Sequence, residues 1–270
     1  MKKVKVLVIQ YKPIYLKMRS NLRKFETILK RYNHVRPDLV IFPEYSLTGP
    51  LYAHYDLSFE KGDKIFKDLS SLALKYKVNL IPGSFVKKAG GKKYNSACFI
   101  DSLGKILGFY DKQYLWATER VHLSPGNKTS LLKTDIGNIS IQICADLNSS
   151  RISVDYRRLK PDLIVNIAMW SFEDINACTK MVPKNIELLQ TEYLARARAI
   201  ENRAYMIFCN YADNLEIQAN TGRTYKETSI GNSMIVNPYG EVIARTTSNK
   251  EEVIFSEIDI SKTHWAKYSY

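Results

Sequence analysis

Short β-branched apolar runs alternate along the chain with stretches whose apolar residues step by three or four. The pattern is one of strands interleaved with amphipathic helices. Val4 to Tyr11 is predicted as a strand, and Met18, Leu22, Phe25, Leu29 and Tyr32 mark one face of a helix over roughly 16–32. Asp38-Leu39-Val40-Ile41-Phe42 reads as a buried strand running into Pro43-Glu44. Helical spacing returns over about 60–76, and a strand is expected at Asn79 to Val86. Tyr94 to Asp101 and Lys105 to Asp111 form a predicted hairpin around Ser102-Leu103-Gly104. A second joins Ser130–Thr134 to Asn138–Ile143 through Asp135-Ile136-Gly137, and a short helix is expected after Cys144. Asp162 to Ile167 is a strand. The strongest helix covers about 185–203, with Ile186, Leu189, Tyr193, Ala197 and Ile200 as the face expected to pack on a sheet. Strands at 205–210, 231–237, 241–246 and 252–257 follow, with Asn237-Pro238-Tyr239-Gly240 as a turn.

One segment has an echo. Pro37-Asp38-Leu39-Val40-Ile41 recurs as Pro161-Asp162-Leu163-Ile164-Val165, each after a predicted helix and before a loop. This predicts two similar halves folded against each other, an α/β arrangement with sheets covered by helices. No Pro/Gly/Ser-rich linker divides the chain. One domain is expected over 1–260, with 261–270 as a C-terminal tail.

At 270 residues the chain is long enough to bury a full core without disulfides or metal. Its 45% hydrophobic and 25% charged residues exclude collagen-like, mucin-like and mostly disordered classes. No apolar run approaches the ~18 residues of a membrane helix. The start, Met1 to Gln10, lacks a long apolar region and a small-residue cleavage site, so it reads as a strand and not a signal peptide. A cytoplasmic, soluble protein with no membrane partner is expected. The formal charge of +13 raises nucleic-acid binding, but the basic residues are scattered as pairs such as Lys87-Lys88 and Arg157-Arg158. Without a stripe, tail or aromatic RNA signature, no nucleic-acid partner is predicted.

Cys98, Cys144, Cys178 and Cys209 are far apart, and a disulfide framework is not expected. The four histidines show no metal-ligand spacing, and Gly90-Gly91-Lys92-Lys93 lacks phosphate-loop spacing. Chemistry is expected instead at three strand ends. Glu44, Lys112 and Cys144 each close an apolar strand, and α/β proteins gather their sites where strands exit. Singly, each has a plain explanation as a solvated charge or a buried thiol. Together they suit one reaction. A thiol needs a base or a positive field to become a nucleophile, and an ammonium stabilises thiolate and oxyanion alike.

The blocks around these residues carry a family likeness. Phe42-Pro43-Glu44-Tyr45-Ser46-Leu47-Thr48-Gly49, Tyr110-Asp111-Lys112-Gln113-Tyr114-Leu115 and Ile143-Cys144-Ala145-Asp146 occur in order. Arg196 to Asn202 and Gly231 to Gly240 support them. With these, the chain resembles the carbon–nitrogen hydrolases, the nitrilase superfamily, over about residues 4–258. The resemblance implies an α-β-β-α sandwich of two mixed sheets flanked by helices, usually dimerised through one helical face. It implies Glu44 as general base, Lys112 as oxyanion stabiliser and Cys144 as the nucleophile of an acyl thioester. Glu119, ahead of Pro125-Gly126, matches a further glutamate that orients the lysine and substrate.

The segment after the cysteine departs from common members. Those carry a large aromatic and then Arg-Phe-Pro-Glu, where this chain has Ala145-Asp146-Leu147-Asn148-Ser149-Ser150-Arg151. The subclass is therefore open, while the backbone N–H of Ala145 remains available to an oxyanion. Two long irregular stretches, about 112–128 and 168–184, are expected as functional loops. They hold Trp116, His122, Trp170 and Phe172, and Trp116 and Trp170 are candidates for an apolar wall around the acyl group. Arg120 or Arg151 would suit a substrate carboxylate. The expected activity is cysteine-dependent hydrolysis of a small amide or N-carbamoyl amine, with no metal or organic cofactor, in a homodimer or higher homo-oligomer. A nitrile substrate, a Cys144–His122 hydrolase and a non-catalytic scaffold are the rival readings.

Overall fold

The computed structural model describes residues 2–52, 54–172, 185–218 and 224–264. Cys178, part of the expected 168–184 loop and residues 265–270 of the tail lie outside them. In chain order the elements are β1 (Lys3–Gln10), α1 (Met18–Tyr32), β2 (Leu39–Ile41), α2 (Lys64–Tyr76), β3 (Asn79–Ile81), β4 (Ser84–Ala89), β5 (Lys92–Ile100) and β6 (Ile106–Asp111). Next come α3 (Glu119–His122), β7 (Leu132–Thr134), β8 (Gly137–Ile143), a 3-10 turn (Cys144–Asn148), α4 (Ser150–Leu159) and β9 (Leu163–Ala168). After these lie α5 (Ile186–Asn202), β10 (Tyr205–Asn210), β11 (Asn214–Gln218), β12 (Thr224–Thr228), β13 (Met234–Val236), β14 (Val242–Arg245) and β15 (Glu252–Asp259).

Among the described residues the strands build two mixed sheets and a separate antiparallel pair, β11-β12. The first runs β15-β1-β2-β3-β5-β4 with β6 beside β5, and the second runs β14-β13-β10-β9-β8-β7. Period-two alternation decides the layering. In β1, Val4, Val6 and Val8 face the second sheet, in one core with Ile139, Ile141 and Leu163. Leu7, Ile9 and Tyr11 point the other way, onto Phe25 and Leu29 of α1 and Leu69 of α2. Strands buried on both faces carry apolar residues at every position, and each such Leu, Ile or Phe contributes roughly 1.5–3 kcal/mol. The expected α-β-β-α sandwich is the observed one.

The echoed segment does the same work twice. The Asp38 carboxylate accepts the N–H of Lys5 at 2.7 Å, and that of Asp162 accepts the N–H of Asn138 at 2.8 Å. Each aspartate also passes its backbone carbonyl to the following parallel strand, Asp38 to Asn79 and Asp162 to Tyr205, both at 3.0 Å. The β1-β2-β3 and β8-β9-β10 ladders thus repeat one register device.

Two expectations are corrected. The strand predicted from Asn79 to Val86 is broken at Pro82-Gly83, where Pro82 has no N–H to pair and Gly83 adopts φ +87°. The second correction concerns α5. Its predicted face is turned outward, with Tyr193 64% and Ile200 53% exposed. The buried face is Glu187, Thr191, Ala195, Arg198, Ala199 and Asn202. Polar residues are taken inside because each finds a partner there: Arg198 donates to the Leu147 carbonyl at 3.1–3.2 Å, and Asn202 to Ser153 Oγ at 2.9 Å.

Candidate active site

The first sheet delivers two of the three strand-end residues. Glu44 lies three residues beyond β2, in a turn where Tyr45 adopts φ +51°. That turn is seated in the β3–β4 break: Ser46 Oγ donates to the Pro82 carbonyl at 2.7 Å, and the N–H of Tyr45 donates to Ser84 Oγ at 3.2 Å. Lys112 follows β6 directly. Its N–H donates to the Asn95 carbonyl and its carbonyl accepts from Gly126, both at 2.8 Å. The second sheet delivers Cys144, on a sharp strand-to-helix bend with φ +47°. A non-glycine residue there costs of order 1–3 kcal/mol and must be held in place. The bend is tied by Asp146, whose carboxylate accepts the N–H of Ile143 at 3.0 Å, and by Asn166 Nδ2, which donates to the Cys144 carbonyl at 3.2 Å.

Asp146 also reaches across to the lysine loop. It accepts the N–H groups of Gln113 and Tyr114 at 3.1 and 2.8 Å and the hydroxyl of Tyr110 at 2.7 Å. One buried carboxylate thus fixes the nucleophile bend and the chain just past Lys112. Burial pushes its carboxyl up to about 6 despite those donors.

Glu44 and Lys112 are each 2% exposed. The Lys112 ammonium lies 2.9 Å from Glu44 Oε1 and 2.8 Å from Glu119 Oε2, a cation clamped between two buried carboxylates. Burial alone would lower the lysine; Glu119, Glu44 and Cys144 reverse this and hold it well above its ordinary value. Burial raises the Glu44 carboxyl above the usual carboxylate range, with Lys112 opposing. Glu119 is buried as well, but Lys112 and the donors from Trp116 and Tyr45 win, and it falls below its ordinary value. The two glutamates are pushed apart, the pattern that separates acid–base from purely electrostatic roles.

Glu44, Lys112, Glu119 and Cys144 line one cavity of about 40 Å³, walled by Tyr45, Leu51, Tyr55, Trp116 and Met169. On its other side Cys144 borders a cavity of about 70 Å³ lined by Trp116, Ala145, Asn148, Trp170, Glu187 and Gln190. The structure therefore places Glu44, Lys112, Glu119, Cys144, Trp116, Ala145 and Trp170 around two cavities that meet at the cysteine. Trp170 is turned by its indole N–H, which donates to Glu187 at 2.6 Å. His122, Arg120 and Arg151 line neither cavity; His122 stacks on Tyr55 with ring centroids 4.8 Å apart, so the Cys144–His122 pairing finds no support.

Four contributors carry no signal in the sequence pattern. Asn95 looks like one polar position of a strand, and the Met169 N–H, which donates to Glu44 Oε2 at 2.9 Å, belongs to the backbone. Asp146 sits inside a quoted motif without a role. Arg198 reads as helix surface. The block Arg196 to Asn202 is explained by what Arg198 touches, since it pins the 3-10 turn behind Cys144.

The chain is similar to known proteins over nearly its whole length. The model of the carbon–nitrogen hydrolase family matches residues 5–268. A chloroplastic omega-amidase from Arabidopsis thaliana is 30% identical over 72% of this chain and 49% of its own length. A probable nitrilase from Schizosaccharomyces pombe is 26% identical over 99% of this chain and 93% of its own. The crystal structure of a carbon–nitrogen hydrolase from Helicobacter pylori superposes with TM-score 0.83 at 22% identity, covering 98% of this chain and 91% of that one. The chain belongs to the carbon–nitrogen hydrolase family, and it is an enzyme that hydrolyses non-peptide C–N bonds.

Proposed function

We propose that the chain hydrolyses a small aliphatic amide or N-carbamoyl amine through a thioester on Cys144. The observation that carries this is the Glu44–Lys112–Glu119 cluster sharing a cavity with the cysteine. Glu44 takes the thiol proton as sulfur attacks the carbonyl carbon. The oxyanion is met by the Lys112 ammonium and by the N–H of Ala145, in the first turn of the 3-10 segment where N–H groups lack intrahelical partners. Glu44 returns its proton to the nitrogen as the C–N bond breaks, and ammonia or amine leaves. Water then gives a proton to Glu44, attacks the thioester carbon and expels the thiolate, which takes that proton back. Trp116, Ala145 and Trp170 form the wall for the acyl group.

An amide is favoured over a nitrile by the Arabidopsis relative, which is named an omega-amidase. A raised Glu44 carboxyl also suits the protonation that an amide leaving group requires. The partner is a small molecule; neither nucleic acid nor membrane enters the reading, and among the described residues no helix is long and apolar enough to cross a membrane. A working thiol with Cys98 and Cys209 unpaired suits the reducing cytoplasm. We read residues 1–260 as the catalytic domain and 261–270 as its tail.

The test begins with the thiol. Iodoacetamide should modify Cys144 faster than Cys98, pushed up to about 12 by burial, or Cys209, raised by the same cause. Cys144→Ala should keep the fold and lose all turnover. Mass spectrometry after offering an amide mixture should find the acyl adduct on the Cys144 peptide. First modification at another cysteine, or turnover by the alanine variant, defeats the proposal.

The outward face of α5 supplies the second part of the reading, a homodimer. Tyr193 and Ile200 continue across Gly240 to Tyr239 and Ile243, which are also exposed. Joining two such patches removes apolar area from water without unpairing any buried polar group. Light scattering should give twice the chain mass for the native protein and one chain mass for Tyr193→Glu/Ile200→Glu. A native monomer would refute it.

A further inference from the structure

Asn95 lies on β5, fully buried, and lines neither cavity beside the cysteine. Its side-chain Nδ2 donates to Glu44 Oε1 at 2.8 Å and to Glu119 Oε1 at 2.7 Å. A carboxylate offers about four lone-pair positions. On Glu119, Oε1 receives Asn95 and the Tyr45 hydroxyl at 2.8 Å, while Oε2 receives Lys112 and the Trp116 N–H at 2.9 Å. All four positions are taken. On Glu44, Oε1 receives Lys112 and Asn95, and Oε2 receives the Met169 N–H. Among the described residues one position is left, on Oε2.

We propose that Asn95 is a positioning residue that divides the work of the two glutamates. It completes the coordination of Glu119, which stays a fixed anion, and fills Glu44 Oε1, so that the thiol proton passes to Glu44 Oε2. The inference rests on the amide-hydrolase reading in which Glu44 is the base. The amide can do this without adding a second charge, because its NH₂ has two hydrogens for two carboxylates. The orientation is locked, because turning the group over would aim Oδ1 at both anions. Among the described residues Asn95 Oδ1 has no hydrogen-bond partner, a cost that buried groups bear when a functional arrangement demands it. The titratable groups facing Glu44 are Lys112 after β6, Glu119 on α3, Cys144 after β8, Tyr45 beside it and Tyr55 in the loop after β2.

The test reads the rate of Cys144 alkylation by iodoacetamide against pH in the full chain. In the native enzyme the rate should fall on the acid side as Glu44 takes its proton. Asn95→Ala removes a donor that favours the charged form of Glu44, so its acid limb should move to higher pH by about one unit. That is about a tenfold loss on the limb, with the alkaline plateau retained. Asn95→Ser keeps a single donor and should shift by about half as much; it decides the matter should the alanine variant fail to fold. Profiles of both variants that superimpose on the native one, or a loss of the same factor at every pH, overturn the proposal. Glu44→Gln serves as the control. If it keeps the native acid limb, Glu44 is not the base and the underlying mechanism fails whatever Asn95 does.

Discussion

Lys112→Ala is expected to slow acylation by on the order of 10²–10³ or more, with far less effect on substrate binding. That is the usual loss for a single oxyanion donor, and here a full charge goes with it. The structure adds a second consequence. Lys112 separates Glu44 from Glu119, and without the cation two buried carboxylates face each other. Glu44 would then hold its proton to still higher pH, so raising the pH should restore the base but not the missing oxyanion contact. Lys112→Arg should not rescue, because a planar guanidinium cannot take the place of a compact ammonium in so narrow a cavity. Glu44→Gln should be nearly inactive for a different reason, since its amide cannot accept the thiol proton. Its Cys144 alkylation should recover as pH rises and thiolate forms without help. Turnover and alkylation measured across pH on both variants decide it; identical profiles would mean that base and cation act as one inseparable unit.

The other large effect is expected at a residue with no side chain, packed against the turn that carries Glu44. Gly83→Ala would place a methyl 2.1 Å from the Pro43 carbonyl and 2.2 Å from Ser46 Oγ, at φ +87°. Backbone incompatibility costs more than ~1 kcal/mol, and forced overpacking adds ~1–3 kcal/mol. A total of roughly 3 kcal/mol lowers the melting temperature by about 6–12 °C at ~2–4 °C per kcal/mol for a large domain. The turn that must retreat carries Glu44, and a displacement of ~1 Å can cost about 10²-fold in rate. Thermal unfolding and ammonia release from a good amide substrate measure the two. Native values for both would show that the β3–β4 break does not hold the glutamate.

The break itself shows what a sequence can and cannot announce. Pro82-Gly83 was in plain view, yet apolar residues on either side made one strand the simpler reading; only the docked Glu44 turn gives the interruption a purpose. Strand ends were the legible part. Glu44, Lys112 and Cys144 each follow an apolar run with a side chain that packing does not need, and the Pro-Asp echo marks two matching ladders. The α5 helix misled because periodicity distinguishes only apolar from polar, not paired from solvated. Arg198 and Asn202 look like a surface and are buried, in a network with the partly buried Glu201, to which Ser153 donates. Asn95 was illegible for a related reason: its value lies in being within reach of two acids that are 51 and 24 residues away. The β11–β12 pair was not anticipated although Leu215 and Ile217 alternate with polar neighbours, a two-residue signal too short to weigh.

Base and cation hang from one sheet, the nucleophile from the other. Neither layer alone holds the reactive centre, so the site exists only where the two sheets are packed face to face. The same arrangement makes catalysis a fine gauge of that packing: a slip between layers too small to disturb any helix or strand would already part the cysteine from its base.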